Sequence, residues 1–402
     1  MKTQHPGIVI VNAGSSSIKL SFFELDAQGP VIYAHGHMEG IGAHRPHMAL
    51  VDATGETLES HTFAAGDVAD HTAAYRLLRE AIERDLSGFQ PFAIGHRVVH
   101  GGSHFDASVV IDAAVKREIE ALGVLAPLHQ PPALAAIEMI ESIAPDILQI
   151  AGFDTAFHFH RDTLHQLTGL PYDHFEQGLR RYGFHGLSYE YIAQCLEADA
   201  PHLFHGRTVV AHLGGGASLC AMQAGRSIDT TMSLTPLDGL PMGTRCGSLD
   251  PGALLYLLGQ GMSVDRLRHL LYYDSGLKGL SGISSDMREL LASREPRAAM
   301  AVEYFVERLA QECARMAQVM QGFDGLVFTG GIGEHAAPIR ERLCARLQPL
   351  FGVDCDREAN RGSPVGVISS AESRVEVRVM PTDEEGMLAR HVWRLWRQRN
   401  GE

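Results

Sequence analysis

One pattern occurs twice in this chain and narrows what it can fold into. An apolar run from Ile8 enters the polar turn Asn12-Ala13-Gly14-Ser15-Ser16-Ser17 and leaves along Ile18 to Phe23, so the stretch Ile8 to Leu25 reads as strand, tight turn, strand. Much later, Thr208-Val209-Val210-Ala211-His212 enters Leu213-Gly214-Gly215-Gly216-Ala217-Ser218 and leaves along Leu219-Cys220-Ala221-Met222. Placed in register, Asn12 lies over His212 and Gly14 over Gly214. One such unit at the head of each half predicts a duplicated α/β architecture. At 402 residues the chain exceeds what one hydrophobic core usually serves, so two domains are expected.

Helical periodicity fills the intervals. Apolar spacing predicts helices over Asp67 to Leu86 and Pro131 to Ile143, the second opening on prolines that a first turn tolerates. A long amphipathic helix is expected over Pro296 to Gln321. It feeds a short strand, Gly325 to Phe328, and a third glycine-bearing turn, Thr329-Gly330-Gly331-Ile332-Gly333. Helices from about Ala336 to Leu350 and from Thr382 to Arg399 complete the chain, the last opening on Asp383-Glu384-Glu385, acids suited to a helix N-terminus. No low-complexity linker separates the halves, so their boundary lies inside folded structure.

The formal charge of −14 argues against a general nucleic-acid or anionic-membrane surface, since both reward clustered positive charge. An anionic substrate needs a local cationic pocket against that background. No uninterrupted apolar run reaches membrane-spanning length, and the N-terminus lacks the long apolar region and cleavage site of a signal peptide. A cytoplasmic enzyme is expected. The six cysteines form no C-x-x-C pair, which suits a reducing compartment and no structural zinc. The run Phe157-His158-Phe159-His160 has no second cluster at ligand spacing, so these histidines are read as surface or hydrogen-bonded groups.

Chemistry concentrates near glycine. Turns at 12–17, 213–217 and 330–333 follow apolar strands, where glycine lets backbone N–H groups approach an anion. One alone is an ordinary hairpin; three in a duplicated frame fit nucleotide phosphates. No Walker A sequence occurs, which disfavours a P-loop fold. Arg97 in IGHRVVHGG and Arg245 in LPMGTRCGSLDPG are the cationic candidates, against the plain alternative of surface ion pairs. Glu384 is an acid candidate that helix capping would also explain. Asp154, at the end of the apolar strand Ile147 to Phe153, stands where α/β sheets open onto binding crevices.

These residues lie in segments that resemble the acetate kinase (acetokinase) family nearly end to end: VNAGSSSIKLSFF, IGHRVVHGG, APLHQPPAL, FDTAFH, RRYGFHGLSYEY, HLGGGASLCAM, TPLDGLPMGTR, FTGGIGEH and PTDEE, in family order across residues 9 to 385. The resemblance implies a two-domain, duplicated ribonuclease H-like α/β fold of the actin, heat-shock-chaperone and sugar-kinase type, with its active-site cleft between the domains. An acyl-substrate and Mg²⁺-side domain of residues 1–153 plus 386–402 would be closed by the C-terminal helix, and residues 154–385 would bind nucleotide. The implied reaction is reversible, direct in-line phosphoryl transfer between ATP and acetate, giving ADP and acetyl phosphate. Mg²⁺ (Mn²⁺ as a substitute) would sit on Asn12 and Glu384. Lys19 and the Ser15–Ser17 turn would meet phosphates. His212, Leu213, Gly214, Gly215, Gly216, Asp286, Met287, Arg288, Gly331, Ile332, Gly333, Glu334 and His335 would carry the nucleotide. Arg97 would bind the carboxylate, with Val99, Leu128, Phe184 and Pro236 around its methyl group. His185 and Arg245 would stabilise the transferring phosphoryl group, and Asp154 is the remaining essential acid. A homodimer is implied as well.

A carboxylate acceptor is already ionised at pH 7 and needs no general base, so Asp154 is read as orienting an arginine or a magnesium-bound water. Departures from the common family pattern cluster near the nucleotide: Gly215, His335 and Asp383 stand where asparagine is usual, Cys246 and Ser248 replace serine and aspartate, and Gln130 replaces asparagine. Losing an asparagine at 215 removes a hydrogen bond worth roughly 0.5–1.5 kcal/mol. Cys246 is read as a buried, inert thiol rather than an oxidation-sensitive one. Two alternatives stay open: a propionate or butyrate kinase of the same superfamily, and a non-catalytic ATP-dependent switch, which would not need Arg97, Arg245 and His185 together.

Overall fold

A computed structural model describes residues 5–127, 129–362 and 365–401, so the expected substrate contact Leu128 lies outside the described residues. The chain forms two compact units, one running to Ala156 and resuming at Asp383, the other from Phe157 to Thr382. The breaks read from sequence, 153/154 and 385/386, fall beside these. The difference matters, because Asp154 and Glu384 thereby join the first unit, where both pair with Arg97.

The first unit holds an eight-stranded sheet among its described residues, ordered β5-β4-β3-β2-β1-β6-β8-β7. Its strands are β1 (His5–Ala13), β2 (Ser17–Leu25), β3 (Pro30–Glu39), β4 (His47–Asp52), β5 (Thr57–Thr62), β6 (Phe89–Val98), β7 (Val109–Val110) and β8 (Leu148–Phe153). The second holds a six-stranded sheet ordered β11-β10-β9-β12-β14-β13. These are β9 (Arg207–Leu213), β10 (Ala217–Gln223), β11 (Arg226–Thr230), β12 (Gly325–Thr329), β13 (Gly366–Val367) and β14 (Glu376–Val379). The two sheets share one plan. Three antiparallel strands, β3-β2-β1 and β11-β10-β9, are extended by two parallel ones, β6-β8 and β12-β14. The hairpins seen in the sequence sit at the same place in both: Ala13 faces Ile18 across the first turn, and Leu213 faces Ala217 across the second. The α/β duplication is present.

The strand composition explains the layering. Val209, Val210, Ala211, Leu326, Val327 and Phe328 are all fully buried, as expected for parallel strands covered on both faces. The helix Pro296–Val319 buries Ala298, Ala301, Val302, Phe305, Leu309, Cys313 and Met316, a stripe at helical spacing. The third glycine segment departs from expectation. It is not a turn leading to the next helix but a short helix of its own, Gly330–His335, entered through Gly330 at φ 73°. A Cβ at that position would stand 2.8 Å from the Leu213 carbonyl oxygen, so only glycine allows the pivot. The expected helices otherwise form with shifted ends, as His71–Asp85, Gln130–Ile143, Ala337–Phe351 and Glu384–Asn400.

The last helix, Glu384–Asn400, packs on β1, β6 and β8 of the first unit. Two strand glycines admit it. A Cβ on Gly95 would approach Val392 to 2.7 Å, and one on Gly152 would approach Leu388 to 2.4 Å. One helix shows the opposite character: Pro251–Gly259 is rich in leucine yet buries none of its residues, leaving Leu255 71% and Tyr256 66% exposed. No helix among the described residues is long and apolar enough to cross a membrane.

Gly152→Ala is expected to destabilise the protein by about 1–3 kcal/mol through overpacking against Leu388. Urea denaturation should show a smaller loss when the same change is made in an L388A background; equal losses in both backgrounds would rule out this contact as the cause.

Candidate active site

In the first unit the site is built where parallel strands end. Arg97 is next to last on β6, and Asp154 follows β8 directly, so the two side chains emerge from neighbouring strands. Glu384 opens the last helix. The Arg97 guanidinium takes Asp154 in a fork: Nε donates to Oδ1 at 2.9 Å and Nη2 to Oδ2 at 2.8 Å. Its Nη1 lies 2.7 Å from Glu384 Oε2. Burial alone would lower the proton affinity of Arg97, but Asp154 and Glu384 together hold it above the ordinary value. Glu384 is pushed up to about 7, chiefly by burial, while Arg97 opposes that shift and Asp154 and Glu385 reinforce it. Lys19 is near enough to pull Glu384 back down. In the β1–β2 hairpin Lys19 pairs with Asn12, and the turn closes with the Gly14 N–H donating to the Ser17 carbonyl at 2.8 Å. Ser15 and Ser16 are exposed at its tip.

The second unit gathers most of the remaining candidates around Gly214, Gly215 and Gly216. A Cβ on Gly216 would stand 3.1 Å from His185 Nε2 and 3.8 Å from Arg245 Nη1. One on Gly214 would come within 3.9 Å of the Gly331 nitrogen, and one on Gly243 within 3.3 Å of Ser285, beside Asp286. The hairpin turn, the Gly330–His335 helix, His185 and Arg245 therefore surround one space. Glu334 faces inward instead, its carboxylate accepting from Gly330 N at 2.8 Å. Asp286 caps the helix Met287–Ala292 and pairs with exposed Arg288, whose hydrogen bonds hold the Asp286 carboxyl down at about 2. Met287 is buried.

Arg245 is half-buried, and that burial lowers its proton affinity. Nη1 donates to the Pro236 carbonyl at 3.1 Å, and among the described residues no carboxylate pairs with the guanidinium. Fully buried Arg340 also lacks a carboxylate among these residues, but the carbonyls of Gly333, Glu334 and Asn360 and the Asn360 side chain take its donors, whereas Arg245 has one carbonyl and one sulfur. Of the residues expected around a substrate methyl, Val99 is half-buried in the first unit, while Phe184 and Pro236 are buried in the second.

The loop before His185 is held by groups that local sequence did not single out. Arg161 donates through Nη2 to the carbonyls of Arg181 and Tyr182 at 2.6 and 2.7 Å and pairs with buried Asp229. His158 Nε2 donates to the Phe184 carbonyl at 3.0 Å, and Nδ1 accepts from Ser227 at 2.7 Å. The histidine run at 157–160 thus holds a structural, hydrogen-bonded residue, and no group of three metal-binding side chains occurs among the described residues. All six cysteines are free, and burial raises the Cys246 thiol, which keeps it protonated. Of the family departures, Gln130 bonds both backbone groups of His100, Ser248 bonds Asp238, and Asp383 caps the last helix through Gly386 N.

The pattern that defines the acetokinase family matches residues 7–390. The chain is 48% identical to an acetate kinase of Rhodopseudomonas palustris over 96% of its length and 98% of that protein's. Among solved structures it resembles an acetate kinase from Porphyromonas gingivalis, with a TM-score of 0.86 at 34% identity, covering 97% of this chain and 100% of the other. A propionate kinase from Francisella tularensis is as similar, with a TM-score of 0.87 at 34% identity over 96% and 98%.

His158 is pushed down to about 3 by burial and then by the Arg161 cation, so the folded ring stays neutral where the unfolded one titrates near its ordinary 6.5. Below that pH only the unfolded chain gains the proton, and stability falls until the pH reaches the folded value. Denaturation midpoints at pH 7 and pH 5 should reveal a loss of about 2 kcal/mol from this group. H158Q should lower stability at pH 7 and flatten the dependence; identical slopes in both proteins would exclude His158 as its source.

Proposed function

This chain belongs to the acetokinase family, and we propose that it is an acetate kinase (EC 2.7.2.1), catalysing reversible phosphoryl transfer between ATP and acetate. The observation that carries this reading is Arg245: a half-buried guanidinium with no carboxylate partner among the described residues, converging with His185 on a glycine turn. A cation left unpaired in that way is ready for an anion. In phosphoryl transfer charge spreads over the equatorial oxygens of a loose transition state, so fixed donors supply most of the catalysis. On this reading Arg245 and His185 take those oxygens. The backbone of His212 to Gly216 and of Gly331 to His335 cradles the nucleotide with Asp286, Met287 and Arg288. Lys19 meets phosphate.

Arg97 would take the acceptor carboxylate. A guanidinium has five N–H donors. Asp154 uses the one on Nε and one on Nη2, and Glu384 lies against Nη1. One hydrogen on each terminal nitrogen remains, which is the fork a carboxylate accepts. Asp154 then acts by orienting Arg97, and no general base is required because acetate is ionised at pH 7. Val99, Phe184 and Pro236 would surround the methyl group.

A divalent cation fits the acid side of the first unit. Glu384 carries excess proton affinity from burial beside Asp154 and Glu385, and a cation relieves the same burden. Mg²⁺ (or Mn²⁺) bound through phosphates and one or two protein oxygens needs no cage of three side chains. Asn12 and Glu384 would hold it, and it would neutralise phosphate charge. The exposed apolar helix Pro251–Gly259 supports a homodimer. A cytoplasmic location suits the reaction.

The propionate kinase likeness keeps a second acceptor in view, since one methylene in a pocket is worth only about 1–3 kcal/mol. Comparing kcat/KM for acetate, propionate and butyrate decides between them. A hydroxamate assay with Mg-ATP tests the reaction itself: product should form, and R245A should lose about 10³-fold or more in kcat with little change in acetate KM. Intact ATP binding without hydroxamate would favour the switch reading instead.

Gly215 offers a finer check. A Cβ there meets nothing within 4 Å, so G215N should fold normally and lower the KM for ATP by roughly two- to tenfold through a restored hydrogen bond. An unchanged or raised KM would remove position 215 from the nucleotide contacts.

A further inference from the structure

His185 stands at the start of the helix Gly186–Asp199 in the left-handed region, φ 59°, an uncommon conformation for a residue other than glycine. Something must fix its ring. Its Nδ1 lies 2.8 Å from Ser218 Oγ, and Ser218 Oγ lies 2.5 Å from the Tyr189 hydroxyl. Tyr189 is one helical turn beyond His185, with its N–H donating to the His185 carbonyl at 3.0 Å. Ser218 is on β10, directly opposite His212 on β9. Both Tyr189 and Ser218 are fully buried. A second imidazole, His212, stacks on His185 with ring centres 4.2 Å apart, and its own Nδ1 lies 2.8 Å from Ser188 Oγ.

Ser218 Oγ has one hydrogen to place, and His185 Nδ1 and the Tyr189 hydroxyl are its hydrogen-bond partners among the described residues, so whichever of them donates leaves the other to accept the serine hydrogen. A phenol, with an ordinary pKa of about 10, releases its proton far more readily than an aliphatic alcohol, and in so short a contact it is the donor. With Tyr189 donating to Ser218, the serine hydrogen goes to His185 Nδ1. That nitrogen must then be an acceptor, and the hydrogen of the neutral ring sits on Nε2. Nε2 is the atom beside Gly216, in the same space as Arg245 Nη1. A guanidinium close by and a second imidazole in face-to-face contact both oppose an extra positive charge on the ring.

We propose that Tyr189 and Ser218 are positioning residues that hold His185 as its neutral Nε2–H tautomer, aimed at the transferring phosphoryl group. The proposal rests on the phosphoryl-transfer reading for its purpose but not for its geometry. It makes His185 a fixed hydrogen-bond donor that stabilises charge without giving up a proton. It also gives the Tyr-Glu-Tyr run after FHGLS a function at its first position.

The test uses the full chain with ¹⁵N-labelled histidine and long-range ¹H–¹⁵N correlation spectra at pH 7.5, with His185 assigned through its loss in H185N. The expected wild-type pattern is an unprotonated Nδ1 and a protonated Nε2. S218A should turn this into a tautomer mixture, Y189F should move it partway, and S218T should restore it. A wild-type ring protonated on Nδ1 overturns the proposal, as does a pattern unmoved by S218A or by Y189F. In the hydroxamate assay, S218A should lose about tenfold in kcat with both KM values within about twofold, and S218T should recover most of that loss. A rise in KM with kcat unchanged would count against positioning. Should the wild type make no hydroxamate, the phosphoryl reading fails, while the spectra still decide the tautomer.

Discussion

The Arg97–Asp154–Glu384 cluster is the interaction that the first unit is organised around. It joins the end of β6, the end of β8 and the start of a helix that begins more than two hundred residues later in the chain. Removing one member would leave the others buried and uncompensated, which typically costs about 3–5 kcal/mol. The same contacts do chemical work on the proposed reading. Asp154 fixes the guanidinium plane, and a fixed plane is what a bidentate carboxylate requires. Structure and function are inseparable at this cluster, because the carboxylates that anchor the last helix also decide which N–H groups Arg97 has left.

The second unit repeats the sheet plan but not the electrostatics. Its equivalent hairpin carries glycines where the first carries serines, and Arg245 has carbonyl and sulfur contacts where Arg97 has carboxylates. Arg97 commits donors to its two carboxylates and keeps one fork of N–H groups, whereas Arg245 has no carboxylate beside it among the described residues. Buried Arg161 pairs with Asp229 and holds the carbonyls of Arg181 and Tyr182, while half-buried Arg315 takes the other Asp229 oxygen. Fully buried Arg340 is also scaffolding, with its donors on the Gly333 and Glu334 carbonyls and on Asn360, whereas Arg245 faces the space beside His185 and Gly216.

That division explains what the sequence could reveal. The two hairpins were legible because strand alternation and glycine turns are local signals, and the long helix was legible from its 3.6-residue stripe. The Gly330 segment was not: Thr-Gly-Gly-Ile-Gly reads equally as a turn, and only the close approach of Gly330 to the Leu213 carbonyl distinguishes a helix start. Asp154 and Glu384 belong to the first unit because one follows β8 and the other opens the helix packed on that sheet; their pairing with Arg97 is a contact made by folding and written in neither flanking segment. Ser218 and Tyr189 escaped notice because a serine in a strand and a tyrosine in a helix are unremarkable alone. Their positions relative to His212 and His185, opposite in one case and four residues on in the other, were the available clue.

The departures from the family pattern follow the same logic of local space. Gly330 is closely packed against the Leu213 carbonyl at a positive φ, so a side chain there would move the backbone that the proposed site depends on. Gly215 faces open space, and His335 is exposed at the end of its short helix. At both, the side chain can change without disturbing the turn. On the proposed reading these two positions would touch the nucleotide, and no side chain at either is needed to hold the turn. On that same reading the fold would separate donor preference from the reacting centre: Gly215 and His335 are open, while Arg97 and His185 are each held by several neighbours.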